Sequence, residues 1–333
     1  MSDNHRPRPV AVYGASGHTA RFVLAELQRR GIPAIAVGRN AATLPDGVPV
    51  RVAAADDAPA LDAAFAGCAV VINCAGPFLD TALPVAEAAI RAGASYIDVT
   101  AEQAGAMAVF ERLDAPARAA GVAVIPAAGF YGGLADLLAT ALLGPDGEAD
   151  ELTVAIALDR WWPTAGTRKT GERNTVPRLV VDGGRLVPMP LPAARSTWRF
   201  GAPHGEQAMI ELPFSETITI SRHLRVRSLR AHLTQSSLDE IRDETTPPPA
   251  ATDALGRSAQ HFEMVVRTRN GDVVRTATAS GRDIYAVSAP LVVEAAARLA
   301  RAGVTRPGAR ALGEAFDARD FLAALSPRHL ALD

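Results

Sequence analysis

Two patterns of hydrophobic and polar positions divide the chain. Over residues 7–130, short apolar runs alternate with longer segments whose apolar positions recur with helical spacing. Short apolar runs are typical of strands buried on both faces, and the periodic segments are typical of helices that cover a parallel sheet. The pattern predicts six strands, at residues 10–13, 32–37, 50–54, 70–74, 96–99 and 122–126. It predicts helices at residues 18–30, 58–66 and 82–92, and hence a doubly wound α/β sheet of the Rossmann type.

The middle of the chain has strand-like runs that are joined by proline-rich connections. These runs are at residues 152–158, 179–181, 207–212, 216–220, 262–269 and 272–279. Asn270-Gly271 between the last two predicts a type I′ hairpin turn, because both residue types tolerate a positive φ. A strongly apolar helix at residues 289–301 is expected to pack on the first domain. The predicted domains are a Rossmann dinucleotide-binding domain (7–130 with 283–330) and an α+β substrate-binding and dimerisation domain with a largely antiparallel sheet (131–282).

The first predicted strand is followed by a glycine-rich turn. Gly14 and Gly17 stand in a G-x-x-G-x-x-A spacing that ends at Ala20. In dinucleotide-binding units the first glycine permits the tight turn and the second lets the backbone approach a pyrophosphate. The free N–H groups at the start of the next helix then hold the phosphates. The predicted cofactor contacts of this loop are Gly14, Ser16, Gly17, His18 and Thr19.

The end of the second predicted strand indicates which nicotinamide cofactor is bound. NAD sites usually place a carboxylate there to bond the ribose 2′-hydroxyl. Residues 36–40 contain no carboxylate and include Arg39. The planar fork of an arginine suits a 2′-phosphate, so we predict NADP(H). The alternative is that Arg39 is an ordinary surface residue.

The composition limits the classes of partner and the cellular compartment that are expected for this protein. The chain has 34 basic and 36 acidic residues, and this balance disfavours a nucleic-acid binder, which needs concentrated positive charge. Cys68 and Cys74 fit a reducing compartment, and there is no apolar run typical of a signal peptide or a membrane helix. A soluble, cytoplasmic protein without membrane partners is therefore expected. Seven scattered histidines predict no metal site, and Lys169 is the single lysine available for chemistry.

Five further segments carry a family resemblance. Residues 70–78 read VVINCAGPF, residues 96–102 read YIDVTAE, and Gly129-Phe130 precedes Asp136. Residues 165–170 read AGTRKT and residues 281–289 read GRDIYAVSA. In these segments the chain resembles the saccharopine dehydrogenase-like oxidoreductase family, which includes saccharopine reductases and trans-acting enoyl reductases. The resemblance implies an NADP-dependent oxidoreductase whose nicotinamide lies against loops that hold Ala75, Gly76, Pro77, Phe78, Thr100 and Gly129.

The chain departs from the family pattern at two places. The family's Thr-Gly-Glu is Thr-Ala-Glu at residues 100–102, and residues 131–136 replace its Ser-x-Pro-Ser-Asp. The second departure falls where the substrate and the nicotinamide should meet. The resemblance therefore does not name a substrate.

Reduction of a C=N or C=C bond needs a proton source as well as a hydride. Tyr131 and Glu102 are the leading candidates for this catalytic role, with Asp98 and Asp136 behind them. Tyr131 follows a glycine-flanked strand end, where a reacting side chain would be presented, but it could instead pack against the cofactor or the core. Glu102 could instead be a carboxylate at a helix start. No tyrosine begins a Tyr-x-x-x-Lys dyad, and this disfavours the ordinary short-chain dehydrogenase mechanism.

Arginine and tryptophan residues cluster at the start of the second predicted domain. Such side chains can hold an anionic or planar substrate through bidentate and stacking contacts. They are equally typical of the packed surface of a homodimer. The predicted substrate contacts are Arg160, Trp161, Trp162, Arg168 and Lys169.

These features favour an NADPH-dependent reductase that transfers a hydride to an imine, enoyl or carbonyl group of a small metabolite. Two other functions share the same motifs. One is a non-catalytic regulator that senses NADP(H). The other is an isomerase or epimerase that uses bound NADP without net redox change. A homodimer is expected in each case.

Overall fold

The computed structural model describes residues 7–333 and contains two β-sheets with helices packed on them. In chain order its strands are β1 (Val10–Tyr13), β2 (Ala34–Gly38), β3 (Val50–Val52), β4 (Val70–Asn73), β5 (Ser95–Asp98), β6 (Ala123–Ile125), β7 (Glu148–Leu158), β8 (Leu179–Asp182), β9 (Arg185–Pro188), β10 (Arg195–Arg199), β11 (Glu206–Glu211), β12 (Arg225–Thr234), β13 (His261–Asn270), β14 (Val273–Arg282), β15 (Gly308–Ala309) and β16 (Ala331–Leu332). Its α-helices are α1 (His18–Arg29), α2 (Ala58–Phe65), α3 (Phe78–Arg91), α4 (Gln103–Ala120), α5 (Ala135–Leu143), α6 (Ala165–Arg173), α7 (Glu216–His223), α8 (Gln235–Arg242), α9 (Ser288–Ala302), α10 (Leu312–Ala315) and α11 (Ala318–Leu325).

The first sheet is doubly wound, as predicted. Its strand order is β15-β6-β5-β4-β1-β2-β3, and every neighbouring pair is parallel. The order reverses between β1 and β4, so a crevice opens at the carboxyl ends of these strands. The register sets Tyr13, Asn73 and Asp98 side by side at this edge. The loops that follow these strands therefore converge on one place.

Apart from the exposed edge strand β3, the strands of the first sheet are largely buried on both faces. Val10 and Val12 of β1 belong to a core shared with α1 and α9, whereas Ala11 and Tyr13 belong to a core shared with α2, α3 and α4. This is why β1 is a continuous apolar run. Helix α9 packs on α1, as its apolar sequence predicts, and a partly buried ion pair joins Arg30 to Glu294.

The second sheet contains nine strands. Seven follow the order β10-β11-β12-β7-β13-β14-β16, while β8 pairs with β12 and β9. The β12–β7 pair is parallel and the other pairs are antiparallel, so the prediction of a largely antiparallel sheet is confirmed. One face of β7 joins the same hydrophobic core as α5 and α9. The two sheets therefore share a continuous core.

One predicted strand is wrong. Residues 216–220 alternate Thr and Ile, but they form the helix α7. Thr217 and Thr219 are as deeply buried as Ile218 and Ile220, because the first five residues of α7 are enclosed by other elements. The alternation thus reflects burial of every residue, and it does not mark a sheet with one wet face. Alternation is a strand signature only when one face is solvated.

The hairpin at residues 262–279 is confirmed, but its turn lies one residue later than predicted. Asn270 pairs with Val273, so Gly271 and Asp272 form the loop. Only Gly271 of this pair has a positive φ, which excludes a type I′ turn. The side chain of Asn270 accepts from the Asp150 N–H and donates to the Glu148 carbonyl, and these bonds keep Asn270 within the strand.

The sequence patterns do not predict α4, which ends at Gly121 in the left-handed conformation. Among residues 7–333, none of the helices combines the length and the apolar character that crossing a membrane requires.

Candidate functional site

A cavity of about 980 Å³ lies where the carboxyl ends of the first sheet face segments of the second sheet's domain. Its volume is at the upper end of ordinary ligand sites. The predicted site residues that line it are Gly14, Ser16, Gly17, His18, Thr19, Arg39, Ala75, Gly76, Pro77, Phe78, Glu102, Tyr131, Trp161 and Lys169. The predicted residues that do not line it are Asp98, Thr100, Gly129, Arg160, Trp162 and Arg168.

The glycine loop has the geometry of an anion cradle. Gly14 has a φ of +77°, and a Cβ there would lie 2.8 Å from the Cβ of Ala75. The Gly17 N–H donates to the Gly14 carbonyl at 2.9 Å and closes the turn. Helix α1 then begins at His18 with no side-chain cap and no acidic residue in its first turn. Its first N–H groups are open to a phosphate, so these residues fit the pyrophosphate of a dinucleotide.

Arg39 lies at the other end of the cavity, just beyond β2. Its side chain is exposed, and within residues 7–333 it makes no hydrogen bond or ion pair. Burial raises the pKa of the neighbouring Tyr13 hydroxyl, and the positive charge of Arg39 partly offsets that rise. The Arg39 guanidinium is therefore available to a ligand anion at the edge of the cavity.

Tyr131 occupies a single π-helical turn, Phe130–Leu134, which follows β6. Gly132 is required in this turn, since a Cβ there would lie 2.3 Å from the Ala127 carbonyl oxygen. The Tyr131 ring packs on Phe214 at 4.2 Å and on Trp161 at 5.9 Å between centroids. Its hydroxyl is buried without a hydrogen-bond partner among the residues described. Burial raises the pKa of Tyr131 well above its usual value, with Tyr285 and Glu216 adding to the rise.

Glu102 lies after β5 and holds the start of a neighbouring helix. Its carboxylate oxygens accept hydrogen bonds from the Phe78 and Leu79 N–H groups, at 2.8 and 3.1 Å. These are first-turn N–H groups of α3, so Glu102 caps that helix from outside it. Burial raises the pKa of Glu102, although the two N–H groups oppose the rise. The carboxylate thus fixes the Gly76-Pro77-Phe78 loop against the cavity.

Asp98 is fully buried beneath the cavity floor. One oxygen accepts from the Thr100 and Ala127 N–H groups, and the other accepts from the Tyr96 hydroxyl. These bonds join the ends of β5 and β6, the two strands whose loops carry Glu102 and Tyr131. Burial raises the pKa of Asp98 to about 6, against the effect of the three hydrogen bonds.

Gly129 does not line the cavity, but it lies where α9 packs against the turn that carries Tyr131. A Cβ at Gly129 would lie 3.2 Å from both the Ser288 hydroxyl oxygen and the Cβ of Val99. The Phe130 N–H donates to that same Ser288 hydroxyl at 3.1 Å. The glycine thus lets α9 approach the turn that presents Tyr131.

The predicted arginine and tryptophan cluster divides between the cavity and the exterior. Trp161 lies inside the cavity, where its Nε1–H donates to the Tyr285 hydroxyl at 3.0 Å. Arg160 points outward to an ion pair with Glu240. The guanidinium of Arg168 donates to backbone carbonyls of residues 243 and 246, so it fixes a loop. These residues are close together along the chain, but only Trp161 and Lys169 of the five line the cavity.

Several cavity residues were not predicted. Tyr285 accepts from Trp161 and contacts Thr167, so it ties α6 to the start of α9. It belongs to the GRDIYAVSA segment, so a signal for it existed. Arg178 and Phe214 lie in connections without any motif, and their guanidinium and ring are 4.8 Å apart. Only the fold brings them to the cavity.

Comparison with known proteins agrees with this geometry. Residues 10–125 match the family model of the saccharopine dehydrogenase NADP binding domain. Saccharopine dehydrogenase-like oxidoreductases of Bos taurus and Rattus norvegicus are each 28% identical over 161 residues, which cover 41% of this chain and 38% of each relative. The match therefore spans well under half the length of these curated relatives.

The fold has a solved counterpart over almost its whole length. The apo histidine-tagged saccharopine dehydrogenase (L-Glu forming) from Saccharomyces cerevisiae superposes with a TM-score of 0.64 at 13% identity. The alignment covers 98% of this chain and 99% of that one. At this identity the likeness concerns the fold. Together the comparisons confirm the resemblance that the motifs predict: residues 10–125 match an NADP-binding domain of the saccharopine dehydrogenase type, and this part of the chain is similar to saccharopine dehydrogenase-like oxidoreductases.

Proposed function

We propose that the protein is an NADPH-dependent reductase of a small metabolite whose imine, enoyl or carbonyl group accepts the hydride. One observation carries this proposal: a single cavity joins an open glycine loop to a buried tyrosine hydroxyl that has no hydrogen-bond partner among residues 7–333. A buried hydroxyl that satisfies no protein group costs stability, and such a group calls for an explanation. A reacting substrate atom within hydrogen-bond distance of the Tyr131 hydroxyl would supply the missing partner.

NADPH supplies the hydride when it is bound. The chain's residues would bind and orient it: the α1 N-terminus would hold the pyrophosphate, and Arg39 would hold the 2′-phosphate. Tyr131 donates a proton to the heteroatom or carbon of the reduced bond. The rings of Trp161 and Phe214 exclude water from that end of the cavity, which strengthens each electrostatic contact there.

The function is tested by mixing the protein and NADPH with a panel of imines, enones and keto acids and following the absorbance of reduced nicotinamide. Saturable oxidation with one class supports the proposal. NADPH binding without turnover across the panel would instead indicate a sensing regulator. Conversion of a substrate with no net change in the cofactor would indicate an isomerase or epimerase.

Arg39→Ala is expected to weaken NADPH binding by about tenfold or more, because a charge-assisted bidentate contact to phosphate is lost. The affinity for NADH, which lacks the 2′-phosphate, should hardly change. Calorimetric titration of both cofactors measures the difference. Arg195→Ala removes an exposed arginine from β10, remote from the cavity, and serves as the matched control. Equal losses for NADPH and NADH would contradict the role given to Arg39.

The proposed function also gives each of the two predicted domains a role. We propose that residues 7–130 with 283–330 bind the cofactor and that residues 131–282 bind the substrate and form a homodimer. The strands of the first sheet fall within the former set, which supports it. Residence in the cytoplasm is likewise proposed from the sequence.

A further inference from the structure

Glu216 is a buried carboxylate that none of the roles above uses. It is the first residue of α7 and has no exposed surface. One carboxylate oxygen accepts from the Phe214 N–H at 2.8 Å, while the other has no hydrogen-bond partner among the residues described. A buried charge is expensive unless it is paired. Its position beside the proposed proton donor therefore needs an explanation.

Three side-chain hydrogen bonds hold the segment before α7, and two of them join it to residues of the cofactor domain. The guanidinium of Arg178 donates to the Pro213 carbonyl at 2.6 Å. The side-chain amide of Gln103, in the first turn of α4, donates to the Phe214 carbonyl at 3.0 Å. The Ser215 hydroxyl donates to the Thr100 carbonyl at 2.9 Å. Residues 213–216 are thus clamped in place.

This clamped segment surrounds Tyr131. The Phe214 ring lies against Tyr131, and the Arg178 guanidinium lies 4.8 Å from the centre of the Phe214 ring. The π-helical turn that carries Tyr131 also packs on α7, since a Cβ on Gly132 would lie 2.9 Å from the Ser215 hydroxyl. Glu216 therefore anchors the wall against which Tyr131 packs.

We propose that Glu216 is a positioning residue for the proton donor: its carboxyl holds Phe214 against Tyr131, and its ionisation governs how readily Tyr131 releases a proton. This inference rests on the proposed function in giving Tyr131 that task. Glu216 itself touches neither the cavity nor a substrate, so its effect is exerted through the field at the Tyr131 hydroxyl.

The charges around this group define the expected pH dependence. Arg178 faces it from the connection before β8, Tyr131 from the turn after β6, and Tyr285 adds to the field at Tyr131 from the start of α9. Burial raises the pKa of Glu216 to about 7, although the Phe214 N–H and Arg178 oppose the rise. Burial also lowers the pKa of Arg178, and Glu216 partly restores it.

Ionisation of Glu216 is expected to slow proton donation by Tyr131. Proton donation leaves a negative charge on the Tyr131 oxygen. The neutral carboxyl of Glu216 does not repel that charge, whereas the ionised carboxylate repels it and so makes Tyr131 a weaker acid. Turnover limited by proton transfer should therefore fall as the pH rises through about 7. Donation moves only the Tyr131 proton to the substrate; Glu216 keeps or loses its own proton by equilibrium with solvent.

Glu216→Gln tests the proposal because the amide oxygen can still accept from the Phe214 N–H but the group no longer ionises. We expect the fall in kcat near neutral pH to disappear, so that the variant exceeds the wild type above this pH by roughly three- to tenfold. A merely structural role would lower kcat at every pH. Glu263→Gln alters a buried carboxylate that accepts from the Gly201 N–H outside the cavity, and it should keep the wild-type profile.

A second measurement does not require turnover. The chain has four tyrosines, so the ring signals of ¹³C-tyrosine-labelled protein can be assigned with Tyr131→Phe. The Tyr131 signal should shift with a midpoint near neutral pH in the wild type and should lose that transition in Glu216→Gln. Absence of the transition in the wild type, or its persistence in the variant, overturns the inference. If the transition behaves as expected while no substrate is reduced, the proposed function fails and the coupling stands.

Discussion

Tyr131→Phe should reduce kcat by about 10²-fold or more while leaving NADPH affinity unchanged. General acid catalysis by a positioned side chain contributes an effect of this size. The variant keeps the ring that packs on Phe214 and Trp161 and removes only the hydroxyl. Because that hydroxyl has no hydrogen-bond partner among the described residues, its loss should leave the free energy of unfolding unchanged or slightly higher. Steady-state kinetics, cofactor titration and thermal unfolding measure the three quantities.

Tyr285→Phe removes a tyrosine hydroxyl that does have hydrogen-bond partners, and it therefore serves as the comparison for Tyr131→Phe. The Tyr285 hydroxyl contacts Trp161 and Thr167, so its removal leaves buried partners unsatisfied. This variant should lower the free energy of unfolding by about 1–3 kcal/mol.

If the Tyr131→Phe variant keeps the wild-type kcat, Tyr131 is not the proton donor, and another group has that role.

Asp98→Ala should lower the free energy of unfolding by about 3 kcal/mol or more. The substitution removes the acceptor of three buried donors, the Thr100 and Ala127 N–H groups and the Tyr96 hydroxyl. Each buried donor left without a partner costs about 1–3 kcal/mol. Denaturant unfolding of the wild type and the variant measures the loss. Asp98→Asn, which keeps one acceptor oxygen, should lose less.

The pH dependence of this loss has a definite sign. The pKa of Asp98 is raised to about 6 in the folded protein, above its value in the unfolded chain. Between these two values the folded protein binds more protons, so the contribution of Asp98 to stability falls as pH rises towards 6. The gap between wild type and Asp98→Ala should therefore be wider at about pH 5 than at about pH 8. A stable but inactive Asp98→Ala would instead favour the catalytic role predicted from the sequence.

The local sequence predicted those features whose residues lie close together along the chain, such as the glycine turn and the parallel strands. The turn at Gly14 and Gly17 needs a positive φ or a close approach, and these demands are visible in residue type alone. Short apolar runs revealed the parallel strands, because strands buried on both faces must be apolar throughout. The same reasoning failed at residues 216–220, where the fully buried first part of a helix has an alternating sequence like that of a strand.

The sequence by itself determined the doubly wound sheet, the cofactor loop and the family resemblance, since each depends on contacts between residues close in the chain. Only the tertiary structure decided which side chains share the cavity. Arg178 and Phe214 come from connections without motifs, and Glu216 begins α7. They lie near Tyr131 because the segment before α7 is hydrogen-bonded to Arg178 and to residues 100 and 103 of the cofactor domain. Tertiary contacts also turned Glu102 towards the α3 N-terminus and Arg160 away from the cavity. Long-range packing sets these directions, and no spacing along the chain encodes them.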